Sequence, residues 1–217
     1  MNKPATFLLL ANGDLPCSLL KQVNPLHFQQ IVACDGGGEK ALNCGLQPSV
    51  IIGDLDSISK ELPRRYPQIR FIKQASQEMN DLEKALIYCR EQGAQRLVVL
   101  GTVSAERLDH SINNFSVLAR YHHSFDMQIL TGNSRIYLLD DHLVLPAKPG
   151  TLVSLIPLGR VENIETRGLQ YSLNKESLVF GEREGLSNVI IENPAEIRVG
   201  SGVLLVFLFI PPSASVE

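Results

Sequence analysis

Short apolar runs recur along the chain up to about residue 140, and segments with helical spacing of apolar residues separate them. Runs of this length that are rich in leucine, isoleucine and valine are typical of buried strands. Six of them are clear in the sequence: TFLLLA, QIVACD, SVIIGD, RFIKQ, RLVVLG and MQILTG. Their alternation with helical segments predicts a parallel sheet whose strands are joined by crossover helices.

The clearest helix lies in the segment NDLEKALIYCREQGA. Asn80 is suited to cap this helix, Glu83 occupies the capping-box position, and Gly93 is suited to end it. One apolar stripe at helical spacing consists of Leu82, Ala85, Leu86 and Cys89. A second helix is predicted from Asp109 to about Tyr121. Its predicted inward-facing residues are Ile112, Phe115 and Ala119.

The pattern changes after the segment LPAKPG at residues 145–150. From there on, short strand-like runs are separated by glycine, asparagine and proline, and no stretch is long enough for a crossover helix. This pattern predicts a second, all-β domain, a small sandwich or barrel. We place the two domains at residues 1–145 and 146–217.

The composition sets the broad class of protein. A chain of 217 residues with 44% hydrophobic and 20% charged residues can bury a sizeable core, which excludes disordered and fibrous classes. The formal net charge of −3 gives no electrostatic footprint for a nucleic acid or a membrane, so we expect neither as a partner. A small anionic ligand would therefore need its own cation, such as a divalent metal.

Four cysteines are scattered through the sequence without a C-x-x-C pair: Cys17, Cys34, Cys44 and Cys89. This spacing indicates neither a disulfide framework nor a zinc site, and reduced thiols are expected. The apolar run VLLVFLFI at residues 203–210 is far shorter than the roughly 20 residues that span a bilayer. We therefore expect a soluble cytoplasmic protein.

Acidic residues follow three of the predicted strands, and another begins a predicted helix: Asp35, Asp54, Asp56, Asp109 and Asp81. On an extended chain, Asp54 and Asp56 would point to the same face, about 6.5 to 7 Å apart. Ligands of open parallel sheets bind beyond the carboxyl ends of the strands, and acids gathered there without a metal would repel one another. The acids therefore predict a Mg²⁺ site that binds substrate phosphates. An ordinary solvated strand end is the alternative.

A glycine-rich motif, ACDGGGEKAL, begins at residue 33. Gly36, Gly38 and Ala41 satisfy the G-x-G-x-x-A pattern of nicotinamide dinucleotide sites, so a dehydrogenase is one alternative. Asp35 would repel a pyrophosphate on the glycine amides unless Mg²⁺ bridges the two. The other alternative is a structural glycine turn in which Asp35 caps the next helix.

Basic side chains near the predicted acids suit a phosphorylated substrate. Arg107, Asp109 and His110 are grouped in ERLDHSINN, between a predicted strand and a predicted helix. Arg107 offers a planar fork for phosphate oxygens, and Lys84 adds a second positive charge, as phosphoryl transfer requires. An ordinary surface Arg–Asp pair is the alternative. The sequence contains neither a P-loop nor the protein-kinase motifs.

Four motifs, in their order and spacing, resemble the thiamin pyrophosphokinase family: ACDGGGEKAL, IIGDLDS, NDLEKAL and RLDHSINN. The resemblance continues into the β-rich part through SLIPLG, RGLQYSL and GLSN. It implies an N-terminal Rossmann-like α/β domain followed by a C-terminal β-sandwich. It also implies a Mg²⁺-dependent enzyme that transfers the diphosphoryl group of ATP to the hydroxyethyl oxygen of thiamin and releases AMP. The enzyme would be a homodimer that binds thiamin where the two subunits meet.

The resemblance also implies roles for individual residues of this chain. Mg²⁺ would be held by Asp54, Asp56 and Asp81. ATP and its phosphates would be bound by Asp35, Gly36, Gly37, Lys84, Arg107, Asp109 and His110. Thiamin would face Ser187 and Asn188, with Tyr171 stacked on its cationic ring. The residues that we expect to be catalytic are Asp56, Asp81, Arg107 and Asp109.

The chain departs from the family pattern in two places. Ser104, Ala105 and Glu106 stand where family members often have glycines before the R-x-D-H segment, and the chain has no tryptophan to place against thiamin. Tyr171 is the candidate substitute for the tryptophan. The rival functions are a diphosphokinase for another alcohol such as a hydroxymethylpterin, a catalytically silent nucleotide-binding regulator, and a sugar-nucleotide transferase.

Overall fold

The computed structural model describes residues 4–56, 58–76 and 78–210, and the chain divides into two compact units. The first unit runs to Gly132, and the second begins at Asn133. This division lies earlier than the predicted limit at residue 145, because the strands at 134–139 and 142–145 pair with strands of the second unit. The outer limits of the predicted domains, residues 1–3 and 211–217, lie outside the described residues.

The described part of the first unit contains a parallel sheet of six strands. Their bounds are Thr6–Leu10 (β1), Gln30–Cys34 (β2), Val50–Gly53 (β3), Arg70–Lys73 (β4), Arg96–Leu100 (β5) and Asp126–Leu130 (β6). They pair in parallel in the order β4-β3-β2-β1-β5-β6. The predicted parallel α/β architecture is confirmed. The strand order reverses between β1 and β5, which is the point where ligands bind in sheets of this kind.

The helices of the first unit are Cys17–Leu20 (α1), Asp35–Asn43 (α2), Leu62–Arg65 (α3), Asp81–Glu91 (α4) and Leu108–Tyr121 (α5). Two short 3-10 turns lie at Pro25–His27 and His122–Ser124. Because α2 and α4 pack against the sheet, the central strands β1, β2 and β3 are almost entirely buried. Among the described residues, no helix is long and apolar enough to span a membrane.

The predicted start, apolar stripe and end of α4 are confirmed. The side chain of Asn80 caps the helix by accepting a hydrogen bond from the amide of Glu83 at 2.8 Å, and Gly93 follows the helix with a φ of +78°. All four residues of the predicted apolar stripe are buried. The Glu83 side chain, however, contacts α5, where it accepts hydrogen bonds from Arg120 and Tyr121 at 3.0 Å each. The capping position therefore also joins α4 to α5.

The prediction for α5 is correct in extent but wrong in one inward residue. Ile112 is 73% exposed, whereas Ser111 and Leu118 on the same helix are buried. The buried face of α5 therefore includes Ser111 and not Ile112. Since Leu108 lies one turn before Ile112 and is also exposed, the two residues form an apolar pair on the outer face of the helix.

The expectation of four reduced cysteines is wrong for one pair in this structure. Cys17 in α1 and Cys44 at the end of α2 form a disulfide, with their Cα atoms 5.1 Å apart. This separation lies within the usual range for disulfides. The spacing of the cysteines gave no signal because the two residues, 27 positions apart, are brought together only by tertiary structure. Cys34 and Cys89 are free and buried.

The second unit is built from antiparallel strands, and the predicted all-β domain is confirmed. The strands are Ser134–Leu139 (β7), His142–Leu145 (β8), Leu152–Arg167 (β9), Asn174–Val179 (β10), Gly185–Val189 (β11), Ala195–Arg198 (β12) and Ser201–Phe209 (β13). The long β9 takes part in two sheets. Its first half pairs with β13 and β11, and its second half pairs with β12 and β10. Apolar side chains from both sheets form a separate core in this unit.

Candidate active site

A cleft of about 530 Å³ lies in the first unit, beyond the carboxyl ends of the central strands. Five residues predicted from the sequence line it: Asp54, Asp81, Lys84, Arg107 and His110. The loops after β1 and β5 form part of its wall, so the cleft lies at the strand-order reversal. The fold thus brings together side chains that are far apart in the sequence.

Three carboxylates converge at this cleft. Asp35 is the first residue of α2, Asp54 follows β3, and Asp81 is the first residue of α4. One oxygen from each carboxylate lies within 4.8 Å of the others. Gly53 makes the convergence possible, because a Cβ at this position would lie 2.9 Å from the Cβ of Asp35 and 3.2 Å from the Cγ of Asp81. Hard oxygen ligands in such a group suit Mg²⁺.

The geometry around Asp56 differs from the expectation. The strand ends at Gly53, and Leu55 adopts a left-handed conformation with a φ of +61°, so the prediction that Asp54 and Asp56 extend along one face of a strand is wrong. Asp56 is exposed and lies outside the three-carboxylate group. Its backbone amide donates to the Oδ1 of Asp54 at 3.2 Å. This hydrogen bond is the main cause that lowers the pKa of Asp54, so that carboxylate is held ionised.

Lys84 and Cys34 complete the buried wall of the cleft. The side chain of Lys84 is only 3% exposed, and its Nζ donates to the Oδ1 of Asp81 at 2.8 Å. Burial raises the pKa of the Cys34 thiol, and the negative charge of Asp81 raises it further. Cys34 is therefore a neutral wall residue, since a nucleophilic cysteine needs a lowered pKa.

Arg107, Asp109 and His110 form one hydrogen-bonded group at the start of α5. The Nε and Nη2 atoms of Arg107 donate to the two oxygens of Asp109 at 3.0 and 2.8 Å. The Nη2 of Arg107 also lies within hydrogen-bonding distance of the Nε2 of His110. The hydrogen bonds from Arg107 lower the pKa of Asp109 to about 2. A carboxylate of such low pKa is a weak base at neutral pH.

The glycine motif serves the start of a helix. Gly36 and Gly37 lie in the first turn of α2, which begins directly after β2, and among the described residues they are not part of the cleft wall. The alternative in which a glycine turn precedes the helix and Asp35 caps it is wrong, because Cys34 occupies the cap position and Asp35 is already helical. Asp35 instead belongs to the carboxylate group.

Sequence reasoning missed several residues of the cleft wall, among them Asn12, Gly13 and Asn114. An Asn-Gly pair directly after a predicted strand was the available signal for the first two. This Asn-Gly signal could not be assigned to the ligand site as long as the strand order was unknown. Only the central position of β1 shows that the loop after it faces the ligand site.

The residues predicted to face thiamin lie in the second unit. Tyr171 is 64% exposed, and Ser187 is exposed in a left-handed conformation with a φ of +57°. Asn188 is only 4% exposed. Its Oδ1 accepts from the amide of Tyr171 at 3.0 Å, and its Nδ2 donates to the carbonyl of Tyr171 at 2.7 Å. Asn188 therefore fixes the backbone that presents the Tyr171 ring.

Comparisons with known proteins agree with this division. The family model described as thiamin pyrophosphokinase, catalytic domain, matches residues 26–130, and the model described as thiamin pyrophosphokinase, vitamin B1 binding domain, matches residues 141–204. The chain belongs to the thiamin pyrophosphokinase family. The family resemblance expected from the motifs is thereby confirmed. The three acids, Lys84 and Arg107 lie in the first matched range, and Tyr171 lies in the second.

Individual members of the thiamin pyrophosphokinase family are similar to most of the chain. Thiamine pyrophosphokinase 1 of Arabidopsis thaliana is 28% identical over an alignment 238 positions long, which covers 91% of this chain and 84% of that protein. Thiamin pyrophosphokinase 1 of Caenorhabditis elegans is 26% identical over an alignment 172 positions long, which covers 72% of this chain and 68% of that protein. The crystal structure of thiamine pyrophosphokinase from Bacillus subtilis superposes with a TM-score of 0.80 at 20% identity, covering 94% of this chain and 99% of that one. The last likeness bears on the fold, which is the predicted α/β domain with a β-sandwich.

Proposed function

We propose that this protein transfers the diphosphoryl group of ATP to thiamin in a Mg²⁺-dependent reaction that gives thiamin diphosphate and AMP. The observation that carries the proposal is the cleft itself, where three carboxylates converge and Arg107 also lines the wall, in the unit that matches the catalytic domain of the family. Such a site has the anionic ligands for a metal and the cations for phosphates.

The donor set fits Mg²⁺. Asp35, Asp54 and Asp81 offer three oxygen atoms in one group, and Mg²⁺ is usually bound by a few carboxylates together with substrate phosphates. When bound, the ion would neutralise negative charge on the phosphate oxygens of ATP. Asp56, which follows in the same acidic turn, stays in the proposal as a further ligand and catalytic residue. Separate substitutions of Asp54 and Asp56 distinguish their contributions to Mg²⁺ dependence.

The other residues of the cleft would bind and orient ATP. Asp81 holds Lys84, and Asp109 holds Arg107. The two positive charges are therefore already in place when the reaction occurs, and no further ordering of their side chains is needed. Asp109 would act by orienting Arg107 rather than as a base, because its pKa is about 2. Asp35, Gly36, Gly37 and His110 complete the proposed nucleotide site. Catalysis would then rest on positioning and electrostatics.

Thiamin would bind to the second unit. The exposed Tyr171 ring would stack on the cationic thiazolium, an interaction worth about 0.5 to 2 kcal/mol, in place of the absent tryptophan. Ser187 would contact the pyrimidine, and Asn188 would hold Tyr171 in place. The proposal includes a homodimer that binds thiamin where two subunits meet and a cytoplasmic location. Sedimentation and cell fractionation test these last two parts.

The first experiment measures AMP released from ATP and Mg²⁺ with and without thiamin, with thiamin diphosphate identified by mass. We expect AMP release that depends on thiamin and matches the thiamin diphosphate formed. Asp54→Asn should abolish turnover or raise the Mg²⁺ concentration for half-maximal rate at least tenfold, since it removes one ligand charge from the group. Asp56→Asn should give a smaller change of the same kind, because Asp56 lies outside the three-carboxylate group.

Other results would redirect the proposal. AMP release that needs a different alcohol in place of thiamin would point to a related diphosphokinase. ATP binding without any AMP release would point to a silent nucleotide-binding regulator. An Asp54→Asn enzyme with unchanged rate and unchanged Mg²⁺ dependence would contradict the metal assignment.

A further inference from the structure

The loop between β5 and α5 carries Arg107 to the cleft, and this loop contains the departure from the family pattern at residues 104–106. Its path is set by hydrogen bonds from two sides. On one side, α5 holds it: Ser111 Oγ accepts from the amide of Ser104 at 2.8 Å, and the Asn114 amide donates to the carbonyl of Thr102 at 2.9 Å. The other side is provided by the loop after β1.

Two backbone contacts join the β1 loop to the β5 loop. The amide of Gly13 donates to the carbonyl of Gly101, and the amide of Asp14 donates to the carbonyl of Val103, each at 2.7 Å. The approach is so close that a Cβ at Gly13 would lie 2.4 Å from both carbonyl oxygens. The two loops therefore form one continuous wall of the cleft.

Asp14 adds a side-chain contact at the departure itself. Its Oδ2 accepts a hydrogen bond from the amide of Ala105 at 2.9 Å. Any residue except proline supplies such an amide, so the loop keeps this contact without a glycine at position 105. The carboxylate of Asp14 thus fixes the chain two residues before Arg107.

The loop after β1 is also held by α2, the helix that begins with Asp35 of the carboxylate group. The Nζ of Lys40, in α2, donates to the carbonyls of Asn12 and Gly13 at 2.8 and 3.0 Å. The first residue of α2 is Asp35, a member of the carboxylate group. A continuous set of contacts therefore runs from the acidic wall, through Lys40 and Asp14, to the loop that carries Arg107.

We propose that Asp14 is a positioning residue for this reaction: its carboxylate accepts the Ala105 amide and thereby sets the place of Arg107 relative to the three acids. The inference rests on the proposed function of the cleft. A misplacement of about 1 Å at a reacting centre lowers rates by up to about 100-fold, so a contact on a short loop has a measurable effect. Asp14 itself contacts neither ATP nor metal in this proposal.

The test compares Asp14→Ala with Asp14→Asn in the full-length protein. Alanine removes the acceptor, whereas asparagine keeps an acceptor oxygen and removes only the charge. We expect Asp14→Ala to lower kcat/KM for MgATP about 10- to 100-fold with little change in KM for thiamin. We expect Asp14→Asn to stay within about threefold of the parent. Asp126→Ala is the matched control, since Asp126 is an exposed aspartate of the same unit at the amino end of β6, and it should leave turnover unchanged.

Hydrogen exchange gives a readout that does not depend on turnover. The Ala105 amide should exchange faster in Asp14→Ala than in Asp14→Asn or the parent. Parental kcat/KM in Asp14→Ala, or equal losses in the alanine and asparagine variants, would overturn the inference. If the parent makes no thiamin diphosphate, the proposed function is wrong, and the role of Asp14 is then tested by MgATP affinity. In that case, an Asp14→Ala variant whose Ala105 amide exchanges faster but whose MgATP affinity is unchanged would overturn the role of Asp14.

Discussion

At the scale of single residues, the contacts of each acid decide its chemistry. Asp54 is held ionised by a neighbouring amide, and Asp109 is held ionised by Arg107. The sequence predicted that acids after several strands would converge, because the carboxyl ends of parallel strands share one edge of the sheet. It did not predict that the three-carboxylate group would contain Asp35 and exclude Asp56, because the position of Asp56 depends on the left-handed turn at Leu55.

The pair of Arg107 and Asp109 yields a prediction for acid solution. The pKa of Asp109 is about 2 in the folded protein, against an ordinary value of 3.8, so the pair contributes stability above about pH 4 and loses it as the pH falls toward 2. Arg107→Gln removes the guanidinium and should raise the pKa of Asp109 back toward 3.8. Carbon-13 NMR of the Asp109 carboxyl, titrated from pH 6 to about 1.5, measures this shift. Arg120→Gln is the control, because Arg120 contacts Glu83, and it should leave the pKa of Asp109 at about 2. A pKa of Asp109 near 3.8 in the parent would contradict the paired geometry.

At the scale of elements, the sequence predicted features that depend on local signals better than features that depend on tertiary contacts. The start, apolar stripe and end of α4 followed from its own sequence, because capping and helical spacing are local properties. The inward face of α5 was wrong at Ile112, since an apolar residue of this helix is exposed. The contact of Glu83 with α5 and the Cys17–Cys44 disulfide were both missed, because each joins elements whose proximity is set by the fold.

The disulfide gives a prediction for stability. It joins α1 to the end of α2 across 27 positions, and closing a loop of this size is worth about 2 to 4 kcal/mol, largely by restricting the unfolded chain. Reduction, or the double variant Cys17→Ser with Cys44→Ser, should lower the free energy of unfolding by that amount in urea titrations. Thiol counting under denaturing conditions should give two free thiols in the oxidised protein, Cys34 and Cys89, and four after reduction. The double variant is also the control, because its stability should not respond to dithiothreitol. Four free thiols in unreduced protein, or equal stability of both forms, would show that the disulfide is absent or without effect.

At the scale of the whole molecule, the chain forms two units with separate hydrophobic cores, and each of the two family models matches a different unit. Every residue that lines the described cleft belongs to the first unit. The residues proposed for thiamin, Tyr171, Ser187 and Asn188, belong to the second. The change in hydrophobic pattern along the chain was enough to predict two architectures, although the first strands of the second unit lie earlier than its predicted limit.

This separation predicts that changes at the two groups of residues affect different substrates. Tyr171→Ala removes the proposed stacking, worth about 0.5 to 2 kcal/mol, and should raise KM for thiamin by about 2- to 30-fold while the Kd for MgATP stays unchanged. Asp54→Asn should weaken MgATP binding and leave thiamin binding in calorimetry unchanged, because none of the residues proposed for thiamin lies in its unit. Tyr171→Phe is the matched control, since it keeps the ring and should keep the parental KM. The binding losses of the double variant should add within about 0.5 kcal/mol, as independent sites do. A Tyr171→Ala protein that lost MgATP affinity, or strongly non-additive losses, would show that the two units do not bind their substrates independently.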